Sequence, residues 1–180
     1  MKRKLSTYCI CFVLITVIGN CSKIRIWTSS PVIQIIENDY FEAELEPALK
    51  MDEKFFDAFR LVVRNKSDRN LVIDWVKTRY IYEGKITGGF AFKGLAADNI
   101  NRPPAVTVSA GETFERMIWP VKLIGFERLR SSNVKAGESG LNLGLLPAGE
   151  NGILLVVSVD DKEIREKIML NIEVTEISKY

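Results

Sequence analysis

From Lys167 to Thr175 the chain alternates in character. Ile168, Leu170, Ile172 and Val174 are apolar; Lys167, Asn171, Glu173 and Thr175 are polar. A period of two residues puts the two sets on opposite faces of a β-strand and cannot give a one-sided helix. Just upstream, GILLVVSV (residues 152–159) is a continuous apolar run of strand length, rich in β-branched residues. That pattern predicts a central strand covered on both faces. Asp160-Asp161-Lys162 between them reads as a turn. No segment after residue 22 carries a helical period.

The rest of the chain follows the same grammar. KFFDAFRLVVRN predicts a strand with Phe55, Phe59, Leu61 and Val63 apolar and Arg60 and Arg64 between them. NKSDRN (65–70) is turn chemistry, because Asn, Ser and Asp side chains bond nearby backbone. LVIDW resumes with Leu71, Ile73 and Trp75 on one face, so a hairpin is expected across residues 65–70. Residues 79–82 and 86–92 predict two short strands parted by Glu83-Gly84. Strands are expected on either side of Ala110-Gly111, and another at KLIGF (122–126). PVIQII (31–36) and FEAELEPAL (41–49) look extended or edge-like, and Thr28-Ser29-Ser30-Pro31 like a tether or loop. Residues 131–152, with five glycines, read as a long irregular piece.

About eight or nine short strands without interleaved helices argue for a β-sandwich. The string LVVRNKSDRNLVIDW…VTVSAGETFERMI, within residues 55–118, resembles immunoglobulin-like domains of exported bacterial proteins. There a strand ends in Asn-x-Ser/Thr-Asp, and a later strand follows an Ala-Gly-Glu turn. The resemblance implies an all-β, immunoglobulin-like antiparallel β-sandwich, with Trp75 as the buried tryptophan of its third strand. The cysteine pair that flanks this tryptophan in antibody domains is absent.

The N-terminus has a different character. Lys2-Arg3-Lys4 is a positive start, and residues 5–19 are apolar except for Ser6, Thr7 and Thr16. That run of about fifteen residues is short of the ~20 that cross a bilayer as a helix, and it matches a secretory signal segment. Ile18-Gly19-Asn20-Cys21 resembles the lipobox of bacterial lipoproteins, with Ile18 and Asn20 where that family prefers Leu and Gly or Ala. The resemblance implies cleavage before Cys21 and acyl chains on its thiol. Ser22, rather than Asp, then fits an outer-membrane destination in a two-membrane bacterium. An uncleaved signal anchor and a cleaved soluble protein are the competing readings; all three export the domain. The expected organisation is a signal segment (1–20), a lipid-anchored tether with lead-in strands (21–52) and a sandwich (53–180).

Composition narrows the chemistry. The net charge is +2 over 180 residues, and without Lys2, Arg3 and Lys4 the remainder is −1, so charge gives no sign of a nucleic-acid partner. There is no histidine, which removes the commonest general base and transition-metal ligand. All three cysteines, Cys9, Cys11 and Cys21, precede the predicted sandwich, so that region holds no disulfide and no thiolate.

Candidate sites are correspondingly few. Glu42, Glu44 and Glu46 share one strand face and read as a solvated edge rather than a cation site. Asp160-Asp161 lacks the spacing of a calcium loop. Asp74, Asp98 and Glu112 are the acids available to a carboxylate-dependent, glycan-acting hydrolase. Among the dense aromatics, Trp75 and Phe92 are expected in the core, with Phe90 and Trp119 nearby in the pattern. Tyr80 and Tyr82 share a strand face and, with Arg79 beside them, form the expected binding surface. Lys77, Lys85 and Lys93 are read as its solvated rim. No catalytic residue, metal site or cofactor is expected. The leading expectation is a non-catalytic binding or structural module at the cell envelope. It is held to the membrane by lipid on Cys21 and meets a protein or glycan partner through an edge strand or loop. The alternatives are the hydrolase and a subunit of an envelope secretion or assembly complex.

Overall fold

The computed structural model describes residues 23–49, 54–126, 141–160 and 162–178. The N-terminal charged and apolar segment with Cys21, and also Asp161, Gly137 and Gly140, lie outside the described residues. In chain order the strands are β1 (Lys23–Ser30), β2 (Gln34–Glu37), β3 (Phe41–Leu49), β4 (Phe56–Asn65), β5 (Leu71–Ile73), β6 (Arg79–Tyr82) and β7 (Lys85–Gly88). They continue as β8 (Phe90–Phe92), β9 (Val106–Val108), β10 (Thr113–Pro120), β11 (Ile124–Phe126), β12 (Leu141–Leu143), β13 (Gly149–Val159) and β14 (Lys162–Ser178). Among the described residues there is no α-helix, only two short 3₁₀ turns.

Two antiparallel sheets face each other. The first runs β1-β14-β13-β5-β9, with β6 also on β13 and β7 on β6; the second runs β2-β3-β4-β10-β8. Among the described residues, β11 and β12 pair only with each other. The predicted central strand is central: β13 lies between β14 on one side and β5 and β6 on the other. Ile168, Leu170 and Ile172 of β14 are buried, as their alternation requires. They pack with Ile153, Leu155 and Val157 against Phe41, Leu45, Phe59, Leu61 and Val63 of the second sheet. Each such side chain contributes about 1.5–3 kcal/mol when fully removed from water.

Several local expectations change at the level of pairing. The hairpin expected across residues 65–70 does not form: β4 belongs to the second sheet and β5 to the first. The turn chemistry itself is as read. Asn65 Oδ1 accepts the Ser67 N–H at 3.0 Å, and its Nδ2 donates to the carbonyls of Arg69, Val108 and Ser109 at 2.7–3.1 Å. A buried amide that ties two crossings together turns this loop into an arch between sheets. Thr28, Ser29 and Ser30 are not a loop but strand, with β1 paired to β14 from Lys23↔Ser178 to Ser30↔Asn171. β3 is not an edge, since β2 and β4 flank it. Two of its three glutamates face arginines across the ladder: Glu42 opposite Arg64 and Glu46 opposite Arg60. Arg60 donates to Glu46 at 3.4 Å and to Glu115 of β10 at 2.7 Å, so charge runs across three strands.

The Glu83-Gly84 turn joins β6 to β7 as expected, with φ of 48° and 70°. Positive φ at both central residues is the signature of a tight hairpin turn. Gly152, inside β13, has a different role. A Cβ there would lie 2.2 Å from the Ile168 carbonyl oxygen, so only glycine permits this approach to β14.

A candidate binding cleft beside Trp75 and Arg79

β5 and β6 lie end to end along β13, opposite residues 157–159 and 151–154, and the chain bulges between them. Asp74 shapes the bulge. Its N–H donates to the Val156 carbonyl at 2.9 Å, its carbonyl accepts the Thr78 N–H at 2.8 Å, and its carboxylate accepts the Lys77 N–H at 3.0 Å. Thr78 Oγ1 returns to β13 by accepting the Val156 N–H at 3.1 Å. The interruption carries Trp75 into the space between the sheets, with its ring 5.2 Å from Phe92 and 6.1 Å from Phe114. The Arg116 guanidinium sits 4.4 Å from the Phe92 ring centre and 5.1 Å from that of Phe114, a cation on the face of the aromatic cluster.

Beside this bulge lies a half-open cleft of about 250 Å³, lined by Trp75, Arg79, Gly88, Gly89, Ile100, Asn101, Pro103 and Val121. Four chain segments meet there. Gly88 and Gly89 are the point where the chain leaves β7 in the first sheet for β8 in the second. Val121 is fixed by its N–H donating to the Gly89 carbonyl at 3.0 Å. Ile100, Asn101 and Pro103 come from the loop between β8 and β9, folded on itself by Asn99 N–H to Ala96 O at 2.9 Å and Arg102 N–H to Asn99 O at 3.0 Å. Arg79 opens β6 and is half-buried.

The residues expected to bind do not come together. Arg79 lines the cleft, but Tyr80 is only 1% exposed and belongs to the core against Phe59 and Phe90. Its hydroxyl donates to Asn151 Oδ1. Burial pushes the Tyr80 phenol well above its ordinary range, with a smaller push from Tyr82, so it stays a protonated donor. Tyr82, on the same strand face, donates to the Ala148 carbonyl at 3.0 Å and takes no part in the cleft. The shared face of Tyr80 and Tyr82 therefore turns inward, because β6 sits on the central strand rather than at a free rim. Trp75 and Phe92 are buried as expected, and Phe90 is buried with them. Trp119 is half-buried, and its indole nitrogen has no hydrogen-bond partner among the described residues. The same holds for Trp75 Nε1.

The acids considered for hydrolysis are dispersed. Asp74 serves the bulge, Asp98 is exposed in the 3₁₀ turn Ala97–Asn99, and Glu112 is exposed in the turn after β9. None of them lines the cleft. Asp160 turns β13 into β14 at a φ of 50° and pairs with Arg69. Among the described residues, no group of three or more His, Cys, Asp or Glu side chains could hold a metal ion, and no helix is long and apolar enough to cross a membrane. The cleft residues other than Trp75 and Arg79 were not singled out from the sequence. The Gly88-Gly89 doublet and the Asn101-Arg102-Pro103-Pro104 loop were the available signals.

No known protein family, curated protein or solved structure matched the chain.

Proposed function

We propose that this chain is an exported lipoprotein: acyl chains on Cys21 hold a non-catalytic, immunoglobulin-like sandwich at the cell envelope as a binding or structural module. The observation that carries the reading is the distance from the cysteine to the fold. The Lys2-Arg3-Lys4, apolar and Cys21 sequence ends two residues before Lys23, where β1 begins and pairs at once with Ser178. An anchor at Cys21 would then leave almost no slack between sandwich and bilayer. Two or more acyl chains give stable attachment where one is marginal.

The character of that end of the molecule supports the reading. Trp27 N–H donates to the Lys54 carbonyl at 3.2 Å, and the Trp27 and Phe55 rings meet at 5.9 Å. Leu49 pairs with Phe56, whose carbonyl accepts the Leu146 N–H at 2.8 Å. Leu49, Leu145 and Ile177 are 58%, 40% and 48% exposed. Exposed apolar side chains suit a lipid surface. The immunoglobulin-like part of the reading draws on the arches at residues 65–70 and 109–112, which pass between sheets, and on buried Trp75. Binding rather than hydrolysis is favoured because the cleft is lined by Arg79 and Asn101 without a carboxylate. For a protein partner, β2 is an edge strand preceded by exposed Val32 and Ile33, a geometry suited to strand addition.

Mass spectrometry of the mature N-terminus, wild type beside Cys21→Ala, tests the anchor. An acylated Cys21 peptide, lost in the variant, is expected. A mature chain that retains Met1 to Asn20 overturns the cleavage.

A further inference from the structure

Within the binding-module reading above, we propose that the cleft beside Trp75 and Arg79 captures the terminal carboxylate of a peptide whose last side chain is apolar. Three features point there. Arg79 presents up to five N–H donors, and its hydrogen bond is one from Nη1 to the neighbouring Thr78 carbonyl at 3.2 Å; among the described residues no carboxylate pairs with it. A half-buried guanidinium with unused donors selects a planar, two-oxygen anion, which it can hold by two parallel bonds. Trp75, 1% exposed, gives the cleft a closed aromatic wall, so its indole N–H reports on what fills the space beside Arg79. Asn101 adds both a donor and an acceptor, suited to the last peptide group.

The other walls decide what carries the carboxylate. Ile100, Pro103 and Val121 are apolar, and Pro103 is buried. An acidic sugar would bury hydroxyls against them without partners, at a cost for each. An apolar side chain removes its own surface from water there instead. A cleft of about 250 Å³ accommodates little more than one residue, so recognition is of an end and not of an internal stretch.

The test is an NMR titration of the chain as it is expressed, in detergent micelles, following the Trp75 indole N–H signal assigned by Trp75→Phe. The probes are N-acetyl-Gly-Val with a free carboxylate, its C-terminal amide and sodium acetate. The free acid is expected to shift the Trp75 signal saturably, to bind at least tenfold more tightly than the amide or acetate, and to lose at least tenfold in Arg79→Gln. No shift with the acid, equal binding of acid and amide, or unaltered binding by Arg79→Gln overturns the site. Acetate binding as tightly as the peptide overturns the peptide assignment. Should Arg79→Gln fail to fold, the acid and amide comparison in the wild type decides alone. The acylation state of Cys21 is read by mass on the same sample. A saturable Trp75 shift on an unacylated chain defeats the anchor and keeps the cleft, and the reverse result defeats the cleft alone.

Discussion

Asn65 and Asn151 are buried polar side chains among apolar neighbours, and each is tied to backbone. Asn65 joins three carbonyls from two different crossings. Asn151 donates to Pro147 and Gly149 at 2.8 and 2.9 Å and accepts from the Tyr80 hydroxyl, so it shapes the entry of β13 while facing β6. Removing one partner of such a set leaves buried groups unpaired, which costs about 1–3 kcal/mol. Asn151→Ala is therefore expected to lower the unfolding free energy by that amount, read as a lower urea midpoint with an unchanged slope, and Tyr80→Phe by a similar or smaller amount. Because the two residues share a bond, the double variant should lose less than the sum. Additive losses, or a midpoint that does not move, would show the pair to be energetically idle. At this scale an asparagine in a turn segment is readable from the chain. Its three distant acceptors are not, since they arrive only when the sheets close.

At the scale of elements, β13 and β14 were legible almost residue by residue. Their apolar run and alternation describe local faces, and their neighbours in space are also neighbours in sequence. β4 and β5 are equally legible as strands, but their pattern predicts a hairpin where the chain crosses between sheets. A polar six-residue connection looks the same whether it closes a hairpin or arches between sheets. β1 is not legible locally, because Thr28, Ser29 and Ser30 are loop-like by composition and its strand character comes from the partner ladder of β14. The pairing pattern has a dynamic consequence. β13 has partners on both sides along most of its length, whereas β9 and β7 each pair with one strand. Native-state hydrogen exchange should find residues 153–157 exchanging only through global unfolding, and residues 85–88 and 106–108 through smaller openings. Equal protection across these strands would contradict the assigned sheet order.

Across the whole molecule, ion pairs tie neighbouring strands and loops within each sheet. Lys77, on the bulge beside the cleft, binds Glu163, which also holds Arg165 at 2.7 Å. Arg60 holds Glu115, and Lys66 holds Glu37. Hydrogen bonds from these cations keep the carboxyls of Glu163, Glu115 and Glu37 below the ordinary glutamate range. A carboxyl with a depressed folded-state pKa adds stability that is complete above its unfolded value, about 4.3 for Glu. That stability is lost as pH falls from there through the depressed value. The melting temperature should accordingly fall on the acid side of pH ~4.3, and Glu163→Gln should make the fall shallower. The exposed positions of these groups make the effect modest and weaker in high salt. An identical acid profile for Glu163→Gln would remove Glu163 from the account.

Strand content, the inward sets of β4 and β14, the turn at Glu83-Gly84 and the burial of Trp75 were all determined by the chain alone, because periodicity and turn chemistry act over a few residues. Which strands share a sheet, which tyrosine is hidden, and the meeting of Trp75 and Arg79 with residues 88, 89, 100, 101, 103 and 121 were decided only by the tertiary structure. Those contacts join segments far apart in sequence, and nothing in a local pattern records which distant partner will cover it.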